Sequence, residues 1–203
     1  MKKTISNLVK AIIDRKKPGW VFSPQDFIKL SSNIAAAERA LSRLHANGEI
    51  KRLRKGLYYK PIVSRWGEVP PEIKEIVKAL ERSLKTKMMP SGAASANILG
   101  LTTQVPAKTV FYTTHNPGNV KIGKFEIQFK KVSSKRLTGR GKKAGLILNA
   151  LKYLGEHEAK SPSVQKKIAK LIGPTDKQVL NKAVQPQSKW LRESVENIMR
   201  LVA

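Results

Sequence analysis

The stretch from Ser23 to Lys60 constrains this chain most, because it sets two helical signals and two short β-prone runs in a fixed order. Ser23-Pro24 fits an N-cap followed by proline in the first turn. A short apolar stretch, Phe27, Ile28 and Leu30, stops at the polar break Ser31-Ser32-Asn33. From there Ile34, Ala37, Leu41 and Leu44 recur at the spacing of one amphipathic helical stripe. Gly48 stands where a helix stop is expected. Glu49 to Leu53 and Leu57 to Tyr59 read as a hairpin turning at Lys55-Gly56. Upstream, Ile5, Leu8, Val9, Ile12 and Ile13 supply the helix that would complete a three-helix core. That order is the outline of a winged helix-turn-helix, a module whose commonest job is to set one helix in the major groove of DNA.

The DNA-binding reading rests on the polar residues of those elements. Ser32 and Asn33 would cap the second helix, where backbone N–H groups and side chains can meet a phosphate or a base edge. Arg39 and Arg43 lie four apart and share a face, with Ser42 beside them. The hairpin carries Lys51, Arg52, Arg54 and Lys55, a wing to lie against the phosphate backbone. Two plainer readings stand beside this one: solvated charge on a small helical domain, and a winged helix used for protein–protein contact.

Charge favours the first reading. The chain has 203 residues with 40 Lys and Arg against 14 Asp and Glu, a net charge of +26. Such a field attracts nucleic acid or another polyanion and makes binding strongly salt-dependent. Residues 1–60 carry +10 of it and the remainder +16, so the basicity is not confined to the first segment. With no cysteine there is no disulfide, thiol nucleophile or thiolate metal site. The three histidines, His45, His115 and His157, lack metal-ligand spacing, and the three aspartates, Asp14, Asp26 and Asp176, form no Asp-x-Asp pair. No metal, no cofactor and no enzymatic activity are expected. Lys10 and Asp14 interrupt the N-terminal apolar run, so no secretory signal is read there, and no apolar run reaches membrane-spanning length. The expected setting is cytoplasmic, without membrane contact.

The rest of the chain reads as α+β. Residues 63–71, ending in Pro70-Pro71, have no clear period and suggest a linker packed by Trp66, or an irregular strand. Ile73, Ile76, Val77, Leu80 and Leu84 then form a helical stripe, and Ser91 to Leu99 a second helix whose small residues let another element approach closely. Thr109–Thr114, Val120–Ile122 and Phe125–Lys131 predict a three-stranded antiparallel meander, with Phe125, Ile127 and Phe129 on the buried face. Helical stripes return at Leu146, Ile147, Leu151 and Leu154, at Val164, Ile168, Leu171 and Ile172, and from Trp190 to Val202. The expected architecture is a winged helix over 1–62, a linker over 63–71, and a mostly helical domain with a small antiparallel sheet over 72–203.

A second basic segment stands apart. Lys130, Lys131, Lys135, Arg136, Arg140, Lys142 and Lys143 occur without one intervening acid, and Gly139 and Gly141 loosen the backbone between them. The segment suits phosphates of DNA or RNA, the acidic surface of a partner, or a flexible loop whose charge aids solubility. Gly139-Arg140-Gly141-Lys142-Lys143 lacks the spacing and the Ser/Thr of a phosphate-binding loop.

Three motifs in order carry a family resemblance. Leu41-Ser42-Arg43-Leu44, Gly48-Glu49-Ile50 and Arg54-Lys55-Gly56-Leu57-Tyr58-Tyr59 resemble the winged helix of AbiEi-type antitoxins of abortive-infection toxin–antitoxin systems. The run from Ser91 to Pro106, with Leu99-Gly100-Leu101-Thr102-Thr103, resembles the opening of that family's second domain, and Lys108–Thr114 continues the match. The resemblance implies a winged helix that represses its own operon at promoter inverted repeats, with a dimer on DNA one arrangement. It also implies a second domain that counters a nucleotidyltransferase-like toxin, without implying direct contact between the two proteins. Within that picture the Lys130–Lys143 segment could serve operator DNA, the toxin's RNA target or the toxin itself. A transcription regulator with no toxin partner, its second domain a dimerisation or ligand module, remains the alternative, as does an RNA-binding protein.

Overall fold

A computed structural model describes residues 4–30, 33–65 and 67–202. The fold is α+β, and the chain gathers into two compact units: 1–86 with 119–126, and 87–118 with 127–203. Among the described residues no helix is long and apolar enough to cross a membrane.

In the first unit α1 (Ile5–Asp14) turns Val9 and Ile13 inward. The chain passes through β1 (Val21–Phe22) and a 3-10 turn (Pro24–Phe27) into α2 (Ile34–Ala46), then folds back as β2 (Lys51–Arg54) and β3 (Leu57–Tyr59). α2 buries Ala37, Ala40, Leu41 and Leu44, the expected stripe, and burying a leucine fully contributes about 1.5–3 kcal/mol. β3 pairs antiparallel with both β1 and β2, giving the order β1-β3-β2. Between the helices and this sheet Phe22 stacks on Trp20 at 4.6 Å and meets Phe27 edge-on at 5.8 Å, with Tyr58 at 6.4 Å. The hairpin turns at Gly56, whose φ of 74° places it in the left-handed region that glycine enters without strain. Lys60 ties the end of β3 to the end of α1 by donating to the Asp14 and Lys16 carbonyls, each at 2.8 Å.

Residues 63–71 are more regular than the linker expected there. β4 (Ile62–Ser64) and β5 (Gly67–Val69) form an antiparallel hairpin. Trp66, expected to pack this segment, lies outside the described residues. The contact boundary also falls later, after Thr86, because α3 (Ile73–Leu84) packs on β1 and the 3-10 turn. Its Arg82 donates at 2.7 Å to the Asp26 carboxylate and at 2.7 Å to the Val21 carbonyl. Asp26 in turn accepts the Ser23 N–H at 2.8 Å.

In the second unit β6 (Met89–Pro90) pairs antiparallel with β7 (Thr109–Thr113). The expected meander is corrected here: β7 pairs directly and in parallel with β9 (Phe125–Lys131), so β8 (Val120–Ile122) does not lie between them. The direct pairing stacks Phe111 on Phe129 at 6.1 Å, burying both Ile127 and Phe129. Phe125, expected on the buried face, is 78% exposed.

α4 (Gly92–Ile98) lies against α5 (Lys143–Ala159), and the approach depends on Gly92: a Cβ there would sit 2.7 Å from the Tyr153 Cβ and 2.9 Å from the Asn149 carbonyl oxygen. α5 breaks its helical path at Gly155, with φ of 82°. α6 (Pro162–Leu171), α7 (Pro174–Val184) and α8 (Lys189–Arg200) close a core around Ile147, Leu151, Ile168, Leu180, Leu191 and Ile198. α7 is a helix that the apolar stripes had not separated. Its start is marked by Gly173-Pro174, with Asp176 accepting the Gly173 N–H at 3.0 Å and the Lys143 ammonium at 2.9 Å.

Two consequences follow for stability. Arg82→Met removes both hydrogen bonds and leaves the Asp26 carboxylate, only 10% exposed, with local donors alone. The change costs the first unit about 1–3 kcal/mol, read as lost hydrogen-exchange protection across 21–27. Lys143 first, then the Gly173 N–H, hold the Asp176 carboxyl below its ordinary value. A carboxylate lowered on folding stabilises fully above its unfolded value, and that contribution disappears as pH falls through the lowered folded value. Asp176→Asn therefore lowers the midpoint of thermal unfolding at neutral pH. Its deficit against the parent shrinks as the solution is made acid enough to protonate the parent's carboxylate.

Candidate nucleic-acid interface

The outer face of α2 follows from its buried one. With Ala37, Ala40, Leu41 and Leu44 inward, helical geometry turns Glu38, Arg39, Ser42 and Arg43 outward, and all four are exposed. Arg39 and Arg43 flank a shallow pocket of about 260 Å³ shared with Thr4, Ile5 and Ser6 at the start of α1. Among the described residues no ion pair engages either arginine. Asn33 is the N-cap of α2, its side-chain oxygen accepting the Ala35 N–H at 3.1 Å, so its first role is to hold the helix start. Ser32, the other expected cap, lies outside the described residues. His45 meets the Ile50 carbonyl through Nδ1 at 3.2 Å, which fixes the path from α2 into β2.

The four basic residues of the hairpin differ in setting. Arg52 and Lys55 are exposed. Lys51 pairs with Glu68 of β5 at 2.9 Å, and that bond raises its pKa. Arg54 is half-buried, and burial lowers its pKa. Of the basic residues on α2 and the hairpin, Arg39, Arg43, Arg52 and Lys55 are therefore the exposed ones that no ion pair engages among the described residues.

In the second unit all seven cations of the Lys130–Lys143 segment are exposed. The segment is built rather than loose. A 3-10 turn covers Ser134–Leu137, and backbone bonds run from Arg140 to Leu137 at 3.0 Å and from Lys142 to Gly139 at 3.2 Å. Lys143 is committed to the fold, donating to Asp176 and, at 2.7 Å, to the Leu171 carbonyl. Arg136 lies over the Tyr112 ring, 4.7 Å from its centroid, and donates to the phenol oxygen at 3.3 Å. Tyr112 is the register partner of Lys130 in the parallel pair.

A further member of this group was not singled out from sequence. Lys152 is half-buried on α5, and its pKa is lowered by burial first and then by Arg136 and Lys135. The available signal is that Lys152 is the sole charge between Lys143 and Glu156. Lys135, Arg136 and Lys152 thus form an electropositive cluster, while Lys131, Arg140 and Lys142 extend outward from the same segment. Among the described residues no three His, Asp or Glu come together in a group that could hold a metal.

Comparison with known proteins adds a family and one structural likeness. No curated protein matches the chain. The RV2827C protein from Mycobacterium tuberculosis has a crystal structure that aligns over 97% of this chain and 80% of its own, at 11% sequence identity and a TM-score of 0.43. Residues 8–180 match the family described as DUF6088, a family of unknown function. The chain belongs to the DUF6088 family.

Proposed function

We propose that this chain is a DNA-binding autorepressor with antitoxin activity, its first unit a winged helix-turn-helix and its second the part that counters a nucleotidyltransferase-like toxin. One observation carries the DNA-binding half. α2 holds Arg39, Ser42 and Arg43 exposed along one face, with the exposed Arg52 and Lys55 on the hairpin that follows. Two arginines one helical turn apart can chelate guanine edges or grip phosphates, and a basic hairpin adds sequence-independent attraction. The order of α1, 3-10 turn, α2 and the β2–β3 hairpin supports the winged-helix reading. The antitoxin half rests on the resemblance of the Ser91–Pro106 and Lys108–Thr114 motifs. On this reading the chain acts in the cytoplasm, on inverted repeats of its own promoter.

The test is fluorescence anisotropy with the chain's own upstream duplex against a scrambled duplex, titrated from low to physiological salt. Specific binding survives at physiological salt in the parent. Arg39→Ala and Arg43→Ala each lose about 1–3 kcal/mol of discrimination if they read bases, or about one unit of salt slope if they grip phosphate. Protection of cells carrying a nucleotidyltransferase-like toxin encoded beside this gene survives both substitutions. Equal affinity for the two duplexes, collapsing with salt, overturns the repressor reading; loss of protection in step with DNA binding overturns the division of labour.

A further inference from the structure

The second unit contains a cavity of about 540 Å³ that neither Tyr112 nor Arg136 lines. Met88, Met89, Ile98, Leu99, Leu146 and Leu171 form its walls, drawn from four separate stretches of chain. Its size falls within the range of roughly 300–1,000 Å³ usual for small-molecule sites. Two of the wall residues belong to stripes expected to be core, yet Leu146 and Leu171 stop short of full burial, and Ile98 is 59% exposed. Paired methionines suit such a wall, since unbranched thioethers adapt to the shape of what they cover.

Charge is present on one side only. Lys142 and Lys143 line the cavity, and no Asp or Glu does among the described residues. Lys143 is held to the wall by Asp176 and the Leu171 carbonyl. Lys142 is exposed and no ion pair engages it among the described residues. The stem of Lys87 runs beside Gly141, 3.6 Å from where a Cβ would stand. The turn that carries Lys142 cannot drift, because Gly139 and Gly145 are in close backbone contact: a Cβ on Gly145 would lie 2.5 Å from the Gly139 carbonyl oxygen. The backbone of Lys142 is thereby held at the edge of an apolar space, with its exposed side chain lining that edge.

We propose that this cavity binds a small anionic amphiphile, a molecule with a carboxylate head beside Lys142 and an apolar body between Met88, Met89 and Leu146. An apolar body gains by leaving water for these walls, and the head is attracted by Lys142, since Lys143 is already paired with Asp176. A cationic head is repelled by Lys142. The inference stands whether or not the first unit binds DNA.

The chain has four methionines, of which Met88 and Met89 line the cavity and Met199 packs in the helical core, so methyl signals of 13C-labelled methionine report the site directly. Decanoate, titrated below its micellar concentration into the full chain, shifts Met88 and Met89 saturably and leaves Met199 in place. Decyltrimethylammonium shifts none of them. Lys142→Glu and Ile98→Glu change exposed side chains and so preserve the fold, and each weakens decanoate binding about five- to tenfold. Absence of a saturable shift at Met88 and Met89, an equal response to the cationic amphiphile, or undiminished affinity in either variant overturns the proposal.

Discussion

A carboxylate is scarce in this chain, and two of its three aspartates occupy the same local device, one in each unit. Ser23-Pro24-Gln25-Asp26 and Gly173-Pro174-Thr175-Asp176 both set proline at the start of a helical turn and aspartate two positions later. Proline fixes φ and removes a donor that the turn could not have used. The aspartate then reaches back to the N–H preceding the proline, at 2.8 Å from Ser23 and 3.0 Å from Gly173. Its remaining lone pairs take a cation from a distant element, Arg82 of α3 or Lys143 of α5. A purely local turn is converted into a tertiary tie, and each unit is pinned where a short apolar element could otherwise slide.

Ties of this kind commit several of the few acids to structural joints, away from the cations of the exposed faces other than Arg39, which has Glu38 beside it. Glu68 engages Lys51, and Glu49 of the α2–β2 turn engages Lys10 of α1. Both pairs brace the first unit, and neither touches Arg39, Arg43, Arg52 or Lys55. A net charge of +26 destabilises the compact state through self-repulsion, more at low ionic strength than at high. The few acids thus stand at structural joints, while Arg39, Arg43, Arg52 and Lys55 stay outside the ion pairs. In the second unit the half-buried Lys152 has its pKa lowered by burial first and then by Arg136 and Lys135, since both effects disfavour its charged form.

How much of this was legible in sequence depends on whether an element's partner is near it in the chain. α1, α2, α3, α4, β7, β8 and β9 stand within a residue or two of their expected bounds, because their apolar spacing is an intrinsic property of each segment. Pairing was legible only where strands are joined by a short turn: β2 and β3 meet across Lys55-Gly56, and β8 and β9 are neighbours across Gly123-Lys124. His115–Asn119 also carries good turn residues, yet β7 pairs in parallel with β9, where Phe111 meets Phe129. The contacts of α3 with the first unit were hidden for a similar reason: nothing near Arg82 in sequence announces Asp26. On the candidate interface, Arg39, Ser42 and Arg43 were readable from helical period alone. The engagement of Lys51, Lys143 and Arg54 was not, because it depends on Glu68, Asp176 and a local environment that no spacing encodes.

The basic segment around Gly139 shows why composition can mislead about mobility. Glycine between lysines reads as loose chain, since glycine relaxes backbone restriction and like charges repel. Here the glycines do the opposite. Gly139 and Gly141, at φ of 74° and 75°, complete tight turns that side-chain-bearing residues would strain, and Gly145 opens the first turn of α5 to receive them. A Cβ on Gly145 would also come within 3.0 Å of the Met89 sulfur. The close approach therefore joins the basic turn, α5 and the β6 edge in one packed contact. Cations on such a frame lose little backbone freedom when they bind, so their affinity for an anion is set by desolvation and geometry more than by ordering.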